Sequence, residues 1–263
     1  MPAGFRKREI AFALGMGALA ASGAAVTLAA MHDGGGANQH AAAGETRSYE
    51  LAPFRQIAVS GSQDVEVSYG DTISVRADGS REALDRLEVT VTDGKLSIRP
   101  KTGLFGADWD IFDHVTVHVT LPRLDRFDLE GSSDVRIDRI EGARFDGSVV
   151  GSGTLEIAAL KVDRATFDIA GSGDLTAAGS AGTVEATVSG SGDIHAAALD
   201  SGVATVSVSG SGSIALSARK SAEVSLTGSG DIDISGPAPC AVTRTGSGNV
   251  SCASDGNAGT GDD

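Results

Sequence analysis

The chain has 263 residues, 36 of them glycine, and a formal net charge of −14. Glycine at this frequency without a three-residue period excludes collagen and favours turn-rich β structure. The length suffices for one or two domains, and the acidic balance excludes nucleic acid as an expected partner and makes anionic lipid a poor one.

The N-terminal residues 1–31 have the features of an export signal. Three basic residues at 6–8 precede an uncharged, mostly apolar run over 10–31. This pattern is typical of a secretory signal peptide, while the length of the run approaches the ~20 residues that span a bilayer. A cleaved signal peptide and an uncleaved signal anchor both fit. We therefore expect an exported protein, periplasmic or anchored to the inner membrane, with membrane contact through this segment only.

Residues 32–48 are polar, rich in Gly and Ala and without periodicity, and we expect a flexible linker there. The segment from 54 to 121 then has short stretches in which apolar and polar residues alternate, which predicts strands with one buried face. A short helical stretch follows Ser80, whose side chain is suited to cap it. Because the terminal units of a solenoid must cover an open end, we interpret this segment as an irregular N-terminal cap.

A five-residue motif, Gly-Ser-x-polar-apolar, recurs along the rest of the chain at intervals of 18 to 20 residues. The copies begin at Gly131, Gly151, Gly171, Gly190, Gly210, Gly228 and Gly246. An earlier copy at Gly61 lies outside this regular spacing. Apolar residues alternate with polar ones on both sides of the motif, so each unit is expected to be strand, tight glycine turn, strand and looser return.

A repeat of about 20 residues with short strands predicts an all-β fold, a parallel β-helix in which each repeat is one coil. Leucine-rich repeats need Leu and Asn at offsets that are missing here, and the calcium-binding nonapeptide roll has a period of about nine residues. We expect this repeat domain over residues 49–252. The remaining residues, 253–263, are rich in Gly, Asp and Asn and are expected to form a disordered tail.

The repeated units, with the preceding stretches VTDGKLSIRP and VTVHVTLPRLDRFDLEGSSDV, resemble the bacterial head GIN domain family, which is described as a "putative auto-transporter adhesin". The resemblance covers about Phe54 to Cys252. It implies an exported, single-stranded right-handed β-helix. The family defines no catalytic residues, so the resemblance assigns none.

One column of the repeat is rich in carboxylates. It contains Asp134, Asp174, Asp193 and Asp231, is interrupted by Thr154 and Ser213, and ends at Asn249. Stacked carboxylates repel one another, and a cation could relieve that repulsion. The same residue types also hydrogen-bond to turn backbone, and the neutral substitutes in the column favour this second interpretation.

Hydroxyl side chains form a second pattern, on the outward positions before four successive motifs. They are Thr187, Ser189, Ser207, Ser209, Ser225, Thr227, Thr243 and Thr245. Such an array is a candidate face for binding a periodic surface such as a polysaccharide or ice. Ser and Thr are also common on an ordinary solvated β face, and their frequency there favours this simpler interpretation. Arg244, between the last two hydroxyls, is in an inward phase and marks the end of the core.

The loop from 103 to 114 contains Asp108, Trp109 and Asp110, a candidate binding loop. Paired carboxylates beside an aromatic residue are found in glycoside-cleaving sites, but aromatic residues in such a loop also plug the end of a core. No third ligand converges with the histidines at the end of this loop. We therefore predict no metal site. The sequence has no G-x-S-x-G, phosphate-loop or HExxH motif, and we also predict no catalytic residues and no cofactor.

Cys240 and Cys252 are the only cysteines. An oxidising compartment permits a disulfide, and the repeat phase points both side chains into the last coil, although strand geometry could hold them too far apart. Together these features predict an exported, non-catalytic β-solenoid of the cell envelope, an adhesin-like binding or structural module whose partner is a glycan or an envelope protein. The alternative is a polysaccharide-acting enzyme on a β-helix scaffold.

Overall fold

The computed structural model describes residues 44–101 and 114–253. The strands, in chain order, are β1 Glu45–Tyr49, β2 Gln56–Gly61, β3 Asp64–Tyr69, β4 Ser74–Gly79, β5 Leu87–Thr92, β6 Lys95–Pro100, β7 Thr116–Leu121, β8 Arg126–Gly131, β9 Asp134–Ile137, β10 Ile140–Gly151, β11 Thr154–Gly171, β12 Asp174–Gly190, β13 Asp193–Gly210, β14 Ser213–Gly228, β15 Asp231–Ser235, β16 Cys240–Gly246 and β17 Asn249–Cys252. A single helix of these residues, α1, spans Arg81–Arg86.

Successive repeats stack as coils of a parallel β-helix. Strand β12 pairs with β13 from Asp174↔Asp193 to Gly190↔Gly210, and β11 pairs with β12 in the same way. The coils form a β-solenoid of about six turns. The all-β fold predicted from the repeat, a single-stranded β-helix with an irregular N-terminal cap, is thus confirmed.

Each regular coil has three faces. The pre-corner face is the strand segment that ends at the motif glycine, and the post-corner face is the segment that begins at the fourth motif residue. The return face connects them and comprises residues 140–144, 160–164, 179–183, 199–203 and 217–221. Side chains on the two corner faces alternate between buried and exposed, as expected for a sheet with one side packed on a core.

The core is a continuous column of apolar side chains inside the coils. Phe127, Phe145 and Phe167 are fully buried. Gly147 lies between Phe127 and Phe167 in the same column, so a residue without a side chain makes room for two large rings in a narrow interior.

The motif glycine is required by close backbone contact. At Gly210 the φ angle is +135°, and a Cβ added there would lie 2.1 Å from the carbonyl oxygen of Gly190 in the preceding coil. The backbone amide of Ser211 donates a hydrogen bond to that same carbonyl at 2.9 Å. The corners therefore line up along the axis and connect each coil to the one before it.

The isolated copy at Gly61 belongs to the same line of corners. Gly61 pairs with Gly131, β2 with β8 and β3 with β9. The long spacing arises because β4, α1 and β5–β7 are inserted between two coils that stack directly. Strands β6 and β7 pack beneath β2 and β3 as a further, outer coil, and β4 adds antiparallel to β7.

The N-terminal cap begins earlier than the sequence pattern indicates. Strand β1 begins inside the segment expected to be a linker, ends one residue beyond it at Tyr49, and pairs antiparallel with β4. It lacks an apolar alternation, and an ion pair of 2.8 Å between Arg47 and Asp85 holds it, so its position depends on contacts distant in sequence. Ser80 caps α1 as expected, its Oγ accepting a hydrogen bond from the Ala83 amide at 3.1 Å.

Helix α1 has only six residues. Within the part of the chain that the structure describes, no helix is long and apolar enough to cross a membrane. The predicted signal or anchor segment lies outside the described residues.

Candidate functional site

The eight predicted hydroxyl residues come together on the pre-corner face as a grid, called here the hydroxyl grid. One column is Thr187, Ser207, Ser225 and Thr243, and the other is Ser189, Ser209, Thr227 and Thr245. Neighbours within a column belong to adjacent strands, ~4.8 Å apart, and neighbours along a strand are two residues, ~6.6 Å, apart. The grid is therefore flat and regular in two directions.

The hydroxyls of the grid face outward and are largely free. Six of the eight residues are exposed, and Thr187 and Ser207 are half-buried. In the described part of the chain, Thr187 is the one member whose side chain hydrogen-bonds to another side chain, that of Asp168. The remaining hydroxyls are available both to donate and to accept hydrogen bonds.

The N-terminal edge of the grid is acidic. Asp168 pairs in register with Thr187, so its carboxylate extends the first column by one coil. Partial burial, followed by the nearby charge of Glu185, raises the pKa of Asp168, and Arg126 and the bond to Thr187 oppose that rise. A partner that covers this edge must therefore tolerate negative charge.

The aspartate column lies on the post-corner face and hydrogen-bonds to backbone. The Asp193 carboxylate accepts from the amide of Ser213 in the following coil at 2.7 Å, and the Asp174 carboxylate accepts from Asp193 at 3.3 Å. Each of these carboxylates thus accepts a hydrogen bond from the backbone of the next coil, whereas the sequence pattern predicted a bond to the backbone of the residue's own turn. The Asp231 carboxylate makes the same contact, accepting from the Asn249 amide at 3.3 Å.

A possible metal-binding group that sequence reasoning missed lies beside this column. Ligand atoms of Asp174, Asp193 and His195 all lie within 4.8 Å of one another. Carboxylate oxygens and imidazole nitrogens are ligands that Zn²⁺ accepts, although one oxygen of each carboxylate already holds a backbone amide. The signal was hidden because only one coil has His at this position, where its neighbours have Thr176 and Ala215.

The last coil carries the two cysteines. Cys240 and Cys252 form a disulfide with their Cα atoms 6.5 Å apart, and both side chains are partly buried. Arg244 lies above Leu226, at an inward position, and its Nη1 donates to the Gly248 carbonyl at 3.1 Å. The disulfide and this guanidinium together cover the C-terminal end of the core.

The candidate binding loop with Asp108, Trp109 and Asp110 lies outside the described residues. The predicted tail also lies outside them beyond Ala253.

The fold defines a non-globular repeat protein, a β-solenoid with polar outer faces. A family model described as "Putative auto-transporter adhesin, head GIN domain" matches residues 53–238, and the chain belongs to this family. The resemblance noted in the repeated motif is thereby confirmed. No curated protein matches the chain.

Solved structures share the fold. A "putative adhesin" from Bacteroides fragilis NCTC 9343 is 21% identical, with a TM-score of 0.75 over 79% of this chain and 96% of that one. A "putative lipid binding protein" from Parabacteroides distasonis ATCC 8503 is 22% identical, with a TM-score of 0.65 over 79% and 96%. A "putative adhesin" from Parabacteroides merdae ATCC 43184 is 19% identical, with a TM-score of 0.63 over 79% and 95%.

Proposed function

We propose that this protein is an exported, non-catalytic, adhesin-like module of the cell envelope that binds a neutral polysaccharide through the hydroxyl grid. The observation that carries the proposal is the grid itself, eight hydroxyls in two in-register columns on one flat face. The adhesin descriptions of the family and of two of the solved structures support a binding role.

The chemistry of the grid favours a neutral, extended ligand. Sugar hydroxyls need partners that both donate and accept, and Ser and Thr side chains do both. Each hydrogen bond contributes only about 0.5–1.5 kcal/mol net, because it replaces hydrogen bonds to water. Useful affinity therefore requires many contacts in register. A polymer with a repeating unit meets this condition, and the grid offers the same contact in four successive coils.

Export is proposed from the sequence of residues 1–31, with its basic start and long uncharged run. The disulfide between Cys240 and Cys252 supports the same proposal, because structural disulfides persist in oxidising compartments. In this proposal the protein is periplasmic or anchored to the inner membrane.

The proposal is tested by screening the full chain on a glycan array and assaying bound glycans in parallel for hydrolysis. A grid variant carries Ser207→Ala, Ser209→Ala, Thr227→Val and Thr243→Val, which remove four of the eight grid hydroxyls with little change in volume. We expect binding without turnover, and at least about tenfold weaker binding by the grid variant, the equivalent of ~1.4 kcal/mol.

The matched control carries Thr154→Val, Thr176→Val, Ser213→Ala and Ser251→Ala on the post-corner face. It loses the same hydroxyl types away from the grid and should bind as the parent does. Equal binding by both variants would exclude the grid as the binding surface. Hydrolysis of a bound glycan would contradict the proposal of a non-catalytic module and favour the alternative, a polysaccharide-acting enzyme.

A further inference from the structure

Charge is separated by face along the regular coils. From Ile140 onward, the described chain has six Lys and Arg residues and twelve Asp and Glu residues. Five of the six cationic residues lie on the return face: Arg144, Lys161, Arg164, Arg219 and Lys220. Nine of the twelve acidic residues lie on the two corner faces, so the return face has an excess of positive charge on a chain whose net charge is −14.

Three of these five cations have no carboxylate partner among the residues that the structure describes. Arg144 pairs with Asp146 at 2.9 Å and Arg219 with Asp200 at 2.7 Å. Within the described residues, Lys161, Arg164 and Lys220 form no ion pair, and all three are exposed. The surface therefore has cationic groups that remain available to an external anion.

Arg144 and Arg164 are stacked directly on one another. They are register partners in the parallel pairing of β10 with β11, which places their backbones ~4.8 Å apart. Like charges directly opposite in a sheet are destabilising, and Asp146 is bonded to only one of the two. An anion that bridges both guanidiniums would relieve this repulsion.

A surface depression of about 420 Å³ lies on this face, with Lys161 of β11 and Arg219 of β14 among its lining residues. Ser180, Ala181 and Gly182 of β12 also line it. A Cβ at Gly182 would lie 2.6 Å from the Asp163 carbonyl oxygen, so close backbone packing between coils requires glycine at this position. Two carboxylates, Glu141 and Asp163, also line the depression.

We propose that the return face is a second binding surface, specific for an acidic polysaccharide. The carboxylate or sulfate groups of such a polymer would lie along the row of Arg144, Lys161, Arg164, Arg219 and Lys220, and its sugar rings would cross the depression. Guanidinium groups bind carboxylate and sulfate oxygens through paired hydrogen bonds. This proposal concerns a different face and a different ligand from the hydroxyl grid.

Two other anionic partners fit the face less well. A bilayer surface is usually bound by apolar side chains as well as by cations. Among the described residues the exposed large apolar side chains are Tyr69, Val150 and Val242, and none is on the return face. Nucleic acid would extend beyond the narrow cationic row onto the acidic corner faces, where it would be repelled.

The experiment measures binding of the full chain to polygalacturonate, dextran sulfate and neutral dextran. The test variant carries Lys161→Gln, Arg164→Gln and Lys220→Gln. We expect it to bind the acidic polymers at least about tenfold more weakly than the parent. Parent binding should also weaken as NaCl is raised from about 0.05 M to about 0.5 M, since exposed charges are screened.

The matched control carries Arg76→Gln, Arg99→Gln and Arg136→Gln, which remove the same charge from exposed side chains on other faces. It should keep parental affinity. If the parent binds only one of the two acidic polymers, that result supports the proposal and identifies carboxylate or sulfate as the preferred group. Equal losses in both variants, unchanged binding by the test variant, or binding to phosphatidylglycerol vesicles in place of polysaccharide would overturn it. The grid variant should bind the acidic polymers normally, so the two proposals can fail separately.

Discussion

Asp168 is a carboxylate at the position where the next coil has Thr187. Its pKa is raised, first by burial and then by the charge of Glu185. A folded-state pKa above that of the unfolded chain means that protonation favours the folded state. The associated stability is fully present below the ordinary value of 3.8 and is lost as the pH rises through the folded-state pKa.

We therefore expect Asp168→Asn to stabilise the protein at pH 7 and to have no such effect in acid. Because the side chain is substantially exposed, the gain should be small, no more than about 0.5 kcal/mol. Thermal melts of variant and parent between pH 3 and pH 7 measure it. Glu156→Gln is the control, since that carboxylate pairs with Arg136 at 3.1 Å and its loss should bring no gain. A gain from Asp168→Asn that persists unchanged at low pH would contradict the electrostatic explanation.

Single positions were predictable from sequence where the alternation is regular. The period of two placed Leu129 and Ile169 inside, and it brought the eight hydroxyls into two columns. The grouping of Asp174, Asp193 and His195 was not predictable, because it joins residues 19 positions apart and only one coil contributes His. The cationic row was missed for a related reason: the return segments have irregular phase and their register shifts, for example between Ala196 and Asp200.

At the level of elements, the last coil has to end the solenoid. Strands β16 and β17 pair with β14 and β15 on one side, and no described strand covers their other side. Val242 is 47% exposed although its phase is inward. An inward-pointing charge discourages the addition of a further strand, and Arg244 supplies one. The disulfide joins the two strands across the interior of this coil.

We expect loss of the disulfide to loosen the last coil and little else. Closing a loop of this length contributes about 3 kcal/mol at most, through the entropy of the unfolded chain. In the double variant Cys240→Ala/Cys252→Ala, amides of β16 and β17 should lose protection from hydrogen exchange, while those of β11–β13 keep it. Treatment of the parent with a reductant should reproduce this pattern. Unchanged protection in both experiments would show that Arg244 and the strand pairing hold the end alone.

At the level of the whole molecule, the coils depend on their immediate neighbours. Each coil of the repeat contacts the one before and the one after it, and the sequence period reveals this order directly. The N-terminal region breaks the order, because β4–β7 are inserted there. Of these strands, β6 and β7 pair with β2 and β3, and Gly61 remains paired with Gly131. A local pattern cannot reveal such an insertion, since the strands that pair there are about 70 residues apart.

Nearest-neighbour stacking predicts that one substitution has different consequences at different coils. Gly210 and Gly246 have φ angles of +135° and +118°, and an added Cβ would lie 2.1 Å and 2.2 Å from a carbonyl of the preceding coil. Gly210→Ala and Gly246→Ala therefore impose similar local strain, of the order of 1–3 kcal/mol. Gly210 lies between well-paired coils, so a backbone shift that relieves the strain of Gly210→Ala disrupts the stacking on both sides. Gly246→Ala strains only a terminal coil that can separate without exposing the rest of the core.

Melting temperature and hydrogen exchange distinguish these outcomes. Gly210→Ala should lower the melting temperature and reduce protection in β12, β13 and β14. Gly246→Ala should leave the main transition nearly unchanged and reduce protection in β16 and β17 alone. Equal losses of melting temperature would mean that the solenoid unfolds as one cooperative unit, in which the terminal coil stabilises the chain as much as a central one does.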